Sequence, residues 1–378
     1  MSPMTTPESS PDLDDVRRAV RGTLNRFEPD YWRGLDERRE FPDEAFAAFG
    51  EAGWFGTLVP ERWGGADVGP AVASVVVEEI NRAGGDATTI NAQMSICGTL
   101  FRDGNDEQRE RYLPGVIDGS IRFLGVAATE PDSGADMSSI KSAARRDGDS
   151  WVISASKVLI SLAEHTRLMI VLLKTDEGPT LFLLDLDEVG DAVEVQPIHM
   201  ITNRMTTSVF IDDLRLPDSV RLGPVGGGLK CLMKGFAPRR VLAAAESLGN
   251  ARFMLDRAFE HAKDRVTFGR PIGQNQGVQY PLTRAYANVE AADLMRWDAL
   301  RLIEAGDPGA SGRSALAKIL ASEAAWETAR AALTAFGGWG LTGDYHVERK
   351  LRDTTVFVFN NLLLSYVAER VLGLPKAY

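Results

Sequence analysis

The sequence contains two cysteines, Cys97 and Cys231, and four histidines in 378 residues. The cysteines stand far apart and in no metal-type spacing. A disulfide framework and a Cys/His zinc centre are therefore excluded, and two buried thiols in a reducing compartment are expected. His165, His199, His261 and His346 do not cluster and no HExxH pattern occurs, so no metal is expected. His346, in Tyr345-His346-Val347-Glu348-Arg349, reads as a surface residue. No run approaches the ~20 apolar residues of a membrane span. Acidic residues outnumber basic ones, 53 to 42, for a net charge of −11, which argues against a nucleic-acid surface. The opening segment, MSPMTTPESSPDLDD, has neither the basic start nor the apolar core of a signal peptide, so a cytoplasmic location is expected.

What remains is an ordinary globular composition, 44% hydrophobic and 25% charged, on a chain long enough for two or three domains. Residues 12 to 120 read as helical. Asp12 or Asp14 can cap a helix running to Leu24, and Pro42 stands at a first helical position before the apolar face of Ala45, Phe46, Phe49 and Ala52. After a glycine-punctuated connection, helices are expected from Pro70 to Arg82 and from Thr88 to Phe101. Another starts at Asn105 or Asp106, with Pro114 marking a kink or break.

The period changes at Ile121. From there to Leu222 short apolar or alternating runs are separated by turn residues, the pattern of a β domain. Within it, SIKSAARR and WVISASKVLIS form a strand pair joined by a turn over Asp147 to Ser150. Gly223 to Gly228 reads as a hinge; without a strand-turn-helix context or a Lys-Ser/Thr it is no phosphate cradle. Helical periodicity then returns, with four long helices expected over 230–265, 275–304, 310–336 and 346–372, an antiparallel four-helix bundle. The fold class is α+β: a helical N-terminal domain (1–120), a central β-barrel or sandwich domain (121–225) and a C-terminal four-helix bundle (226–378).

Five local motifs sit on this plan: GWFGTLVPERWGG from Gly53, ATEPDSGAD from Ala128, IDDLRLP from Ile211, DRVTFGRPIGQNQ from Asp264 and AFGGWGLTGDYHVERKLRD from Ala335. In this order and spacing the chain resembles the acyl-CoA dehydrogenase family across nearly its whole length. The resemblance implies FAD as cofactor, an acyl thioester of coenzyme A or of a carrier protein as substrate, and an electron-transfer flavoprotein as partner. It also implies a homotetramer or homodimer. Thr129 and Ser161 fall where the family contacts the isoalloxazine, whose reduction builds charge that hydroxyl and N–H donors stabilise. Arg265 and Thr267 fall on the pyrophosphate and Phe268 by the adenine, often of a neighbouring subunit's flavin, while Gln276, Gly337 and Gly338 complete that site. A guanidinium fork suits a diphosphate. Asp132 and Asp136 read as turn formers, and Leu159 stands where many relatives carry an aromatic.

The resemblance breaks at the proton-abstracting base. Counting on from Arg352-Asp353, the family's glutamate falls on Asn361, and an amide has no useful basicity. The family's second location for a base, just before an arginine on the first bundle helix, is Arg239. Another carboxylate is therefore required. Glu246 shares a helix face with Arg239 and Ala243, with a salt bridge to a bundle arginine as its competing role, and Asp103 is a weaker candidate. Otherwise the scaffold runs a different flavin reaction (monooxygenase, oxidase or redox-neutral acyl-CoA lyase) or serves as a catalytically silent partner subunit.

Overall fold

The computed structural model describes residues 12–376 apart from 135 and 138. Its first helices are α1 (Leu13–Leu24), α2 (Pro29–Arg38), α3 (Asp43–Glu51), α4 (Gly69–Arg82), α5 (Thr88–Asp103) and α6 (Asp106–Asp118). Asp12 caps α1, accepting from the Asp14 N–H at 2.9 Å, and Val16, Val20 and Leu24 form its buried stripe. Asn105 and Gln108 close a reciprocal capping box at the start of α6. Pro114, expected to kink or break α6, does not break it. It lies inside the helix, where burial of Leu113 and Val116 on either side outweighs one lost backbone hydrogen bond.

Strands β1 (Phe123–Ala127), β2 (Ala143–Asp147), β3 (Ser150–Ser161), β4 (Leu168–Thr175) and β5 (Gly178–Asp185) follow, then the one-turn α7 (Leu186–Val189). Strands β6 (Val193–Pro197), β7 (Thr206–Pro217) and β8 (Arg221–Leu222) complete an eight-stranded sheet of order β6-β7-β3-β2-β4-β5-β8, with β1 beside β4. The expected β2–β3 hairpin is present, Asp147 opposite Ser150. The glycine-rich hinge leads directly into α8 (Gly228–Lys234), which breaks at Gly235 before α9 (Phe236–Asp264). A small hairpin, β9 (Val266–Thr267) and β10 (Arg270–Pro271), precedes α10 (Gln276–Glu304), α11 (Ala310–Phe336), α12 (Val347–Thr355) and α13 (Asn361–Arg370). The fourth bundle helix is thus two helices, interrupted over 356–360.

The chain forms two compact units. One takes Gly34–Gly65 and Thr88–Arg239, the other the chain up to Arg33, Ala66–Ala87 and Arg240 onward. In the sheet-bearing unit β4 explains the layering. Leu168, Ile170 and Leu172 point to a core shared with Ile96, Leu100 and Leu113 of α5 and α6, while Met169, Val171 and Leu173 point to a second core with Ile153, Val209 and Ile211. The period of two makes one strand serve both cores.

The helical unit is packed through small residues. Ala244, Ala251, Ala258, Ala292, Ala325 and Ala332 all belong to its buried cluster. Gly249 lets α9 approach α4 closely: a Cβ there would lie 2.4 Å from the Glu78 carbonyl. Charge ties α10 to the same residue of α4, Arg296 meeting Glu78 at 2.8 Å and its own-helix neighbour Asp293 at 2.6 Å with its side chain fully buried.

Candidate functional site

In the sheet-bearing unit, the ATEPDSGAD segment is held down by one acid. Glu130 accepts from the Lys141 N–H at 2.6 Å, the Ser142 N–H at 3.1 Å and Lys157 Nζ at 2.7 Å. Lys157 also donates to the Leu172 carbonyl at 2.6 Å, and both side chains are sealed from water, 0% and 4% exposed. Burial pushes the Glu130 carboxyl upward, but the bonds from Lys157 and the two amides outweigh it and hold the group below the usual carboxylate range. Thr129 rides on this anchor, half-buried, its carbonyl accepting from the Val158 N–H at 3.0 Å. Across it, β3 carries a bulge between Lys157 and Ile160. Leu159 adopts φ 58° there and is 54% exposed, Ile160 turns inward, and Ser161 is exposed at the strand end opposite Thr206. The structure therefore brings Thr129 and the exposed end of β3 onto one rigid loop-and-strand frame. Asp132 pairs with Lys141 at 2.7 Å on the surface, in keeping with its reading as a turn residue.

In the helical unit, Arg265 lies at the base of the β9–β10 hairpin, its carbonyl accepting from the Ile272 N–H at 2.8 Å, while Thr267 pairs with Arg270 beside the turn and Phe268 stands at its tip. Phe268 has φ 52° and its side chain is entirely solvent-exposed. Gln276 is the exposed first residue of α10. Gly337 and Gly338 end α11, both exposed with open space where a Cβ would stand; Gly337, at φ 59° and ψ −137°, occupies backbone space that only glycine enters readily. These donors and the open glycines fit the diphosphate and adenosine portion of a dinucleotide: a guanidinium and hydroxyl for oxyanions, a bare aromatic for a ring, and backbone that a ligand can approach.

Asn361 is the exposed first residue of α13. Its neighbour Asn360 is buried and fully engaged, accepting from Lys318 Nζ at 2.7 Å and donating to Ser322 Oγ at 3.0 Å. Lys318 also donates to the Phe357 carbonyl at 2.6 Å, so this one amine bridges the gap between α12 and α13. Periodicity offered no signal for Lys318. Burial pulls its pKa down to about 8. A depressed lysine pKa means that the charged form is penalised in the fold, so stability rises as pH climbs from about 8 towards the unfolded value near 10.5. The wild type is expected to gain thermal stability relative to Lys318→Met across that window, and melting curves at pH 7, 9 and 10.5 check it; a constant difference would refute it.

Glu246 is buried on α9, 3% exposed, one turn before Asn250, and its carbonyl accepts from Asn81 Nδ2 at 3.2 Å. Arg239, near the start of the same helix, is half-buried. Asp103 is paired with Lys234 at 3.3 Å. His346 is not a surface residue as the sequence suggested. It sits at φ 59° before α12 with its ring turned inward, 4% exposed, near Phe253. Burial, then the charges of Arg349 and Arg257, push its pKa down to about 4, so the ring is neutral at pH 7.

Comparison with known proteins gives the same pattern from end to end. The N-terminal, middle and C-terminal domain models of acyl-CoA dehydrogenase match residues 10–120, 125–213 and 226–359. The chain belongs to the acyl-CoA dehydrogenase family. An acyl-CoA dehydrogenase of Mycobacterium tuberculosis is 32% identical over 98% of both chains. A 3-(aryl)acrylate reductase of Clostridium sporogenes is 32% identical, covering 85% of this chain and 87% of that protein. Among solved structures, glutaryl-CoA dehydrogenase of Mycobacterium smegmatis is similar with a TM-score of 0.91 at 25% identity, covering 98% of this chain and 97% of that one. The protein is an enzyme of this oxidoreductase family. Among the described residues no helix is long and apolar enough to cross a membrane.

Proposed function

We propose that this acyl-CoA dehydrogenase family member oxidises the α,β-bond of an acyl thioester, carried on coenzyme A or a carrier protein, with FAD as its cofactor. The observation that carries the reading is the 32% identity to an acyl-CoA dehydrogenase over 98% of the chain. When bound, FAD supplies the two-electron acceptor for the β-carbon. Thr129 and Ser161 orient the ring portion from their anchored frame, and Arg265, Thr267, Phe268, Gln276, Gly337 and Gly338 hold the diphosphate and adenosine portion. The fully exposed Phe268 supports a site completed by a second copy of the chain, hence a homotetramer or homodimer. Electrons leave to an electron-transfer flavoprotein, and the enzyme works in the cytoplasm. The division at 1–120, 121–225 and 226–378 is kept as its domain organisation.

The α-proton of a neutral thioester is weakly acidic, so a base must take it. Glu246 is assigned that role, as a carboxylate buried on α9 on the helix face it shares with Arg239. One observation favours a second reading. Amide Asn361 is exposed and Arg239 is a cation, so neither standard position offers a carboxylate. A flavin reaction without α-proton removal (monooxygenase, oxidase or redox-neutral acyl-CoA lyase) or a silent partner subunit follows if no other base acts.

Anaerobic mixing of the FAD-loaded protein with short, branched and cyclic acyl-CoA thioesters tests the proposal. Bleaching of the oxidised-flavin band by one thioester is expected. Stoichiometric flavin that no thioester of coenzyme A or carrier protein bleaches would sink the dehydrogenase and leave the second reading.

A further inference from the structure

An arginine whose countercharge is shared and out of hydrogen-bond reach, Arg102, stands on α5 in the sheet-bearing unit. Glycine makes room for it on two sides: a Cβ on Gly98 would lie 2.7 Å from Arg102 Nη1, and one on Gly235 would lie 2.9 Å from Nη2. Nε and Nη2 are shielded from solvent and donate to no acceptor within the described chain. The nearest carboxylate, Asp103, is 3.9 Å from Nε, beyond hydrogen-bond reach, and its other oxygen is 3.3 Å from Lys234. Arg239 follows one turn after Gly235, its N–H donating to the Gly235 carbonyl at 3.4 Å. Burial, then the charge of Arg102, lowers the pKa of Arg239, and among the described residues no carboxylate offsets it. Cys97 and Cys231, which also face Arg102, are pushed up to about 12 and about 11 and are neutral thiols at pH 7. Arg102 and Lys234 thus share one acid, beside Arg239, which among the described residues has none.

Two half-buried guanidinium groups with so little countercharge among the described residues are costly to keep. We infer that Arg102 and Arg239 form a binding pair for an oxyanion of the substrate, a carboxylate or a phosphate, so that this enzyme selects a thioester bearing a negative charge away from the reacting carbons. Guanidinium forks match both oxyanions. The inference rests on the thioester reading above, because Arg239 stands where that reading would otherwise seek a base. The charge can be carried on the acyl chain or on the phosphates of the carrier.

The FAD-loaded wild type, Arg102→Gln and Arg239→Gln are titrated calorimetrically with succinyl-pantetheine, butyryl-pantetheine and butyryl-CoA, alongside circular dichroism and melting curves. Both variants are expected to fold and to melt no lower than wild type, since each removes an uncompensated charge. If the acyl carboxylate is the ligand, succinyl-pantetheine binding weakens roughly ten- to hundred-fold in each variant and butyryl-pantetheine binding is unmoved. If phosphate is the ligand, butyryl-CoA weakens by that factor and neither pantetheine thioester does. Affinities equal in all three proteins, or variants that unfold, would overturn the pair. So would a wild type that binds no thioester. Binding that depends on the arginines without flavin bleaching would sink the dehydrogenation and leave the pair standing.

Discussion

Glu246→Gln is expected to slow reduction of the bound flavin by an acyl thioester roughly 10²–10⁴-fold, the usual contribution of a positioned base. FAD content and substrate affinity should stay close to wild type. The replacement keeps the volume and the hydrogen-bonding ends of the side chain and removes its basicity. Because Glu246 is 3% exposed among Ala244, Ala245 and Leu248, a shorter residue would open a cavity and confuse catalysis with folding. Stopped-flow absorbance of the flavin band measures the step directly. A variant reduced at the wild-type rate would remove Glu246 from the chemistry and turn attention to reactions that leave the α-proton in place.

Breaking the Glu130–Lys157 pair should cost the most stability of any single change proposed here, about 3–5 kcal/mol, because removing one partner leaves the other charge buried. Lys157→Met strands Glu130 with only the Lys141 and Ser142 amides. Glu130→Gln strands Lys157 against the carbonyls of Leu172 and Ala128. Urea denaturation monitored on both variants gives the magnitude; a loss under about 1 kcal/mol would place the pair with surface ion pairs and refute the anchor. FAD content gives a second readout, since the anchored segment carries Thr129, and both variants should lose flavin during purification. Because the Glu130 pKa is held below its ordinary value, its contribution is present above the unfolded value near 4.5 and is lost as pH falls through the folded one. Wild type should therefore lose its advantage over Glu130→Gln on acidification below that range.

Much of the fold was legible because local patterns and the tertiary structure agree. Asp12, Asn105 and the runs ending at Arg82 and Phe336 carry their own caps and periods, and the helices begin and end within a few residues of those signals. The switch to period two at Ile121 marked the sheet for the same reason. Legibility failed where a distant side chain decides. Nothing local distinguishes 356–360 from helix; the break is stabilised by Lys318, on α11, donating to Phe357 and Asn360. His346 looked polar and exposed by residue type, yet a left-handed backbone turns it inward. Pro114 looked like a kink or break, yet core contacts on both sides carry α6 through it without a break.

The candidate site divides the same way. Residue identity alone determined that neither Asn361 nor Arg239 is a carboxylate, because that is read from the chain directly; that they stand where a base would be sought, and that the motifs for a dinucleotide are present in order, is what the family resemblance implied. Tertiary structure alone decided that Glu130 is a buried anchor, that Asn360 is spent on Lys318 and Ser322, and that Arg102 lies between Gly98 and Gly235 with its nearest acid, Asp103, beyond hydrogen-bond reach and paired with Lys234. The reason is desolvation. Whether a charge is cheap or costly depends on what surrounds it in space, and one-dimensional order does not contain that information.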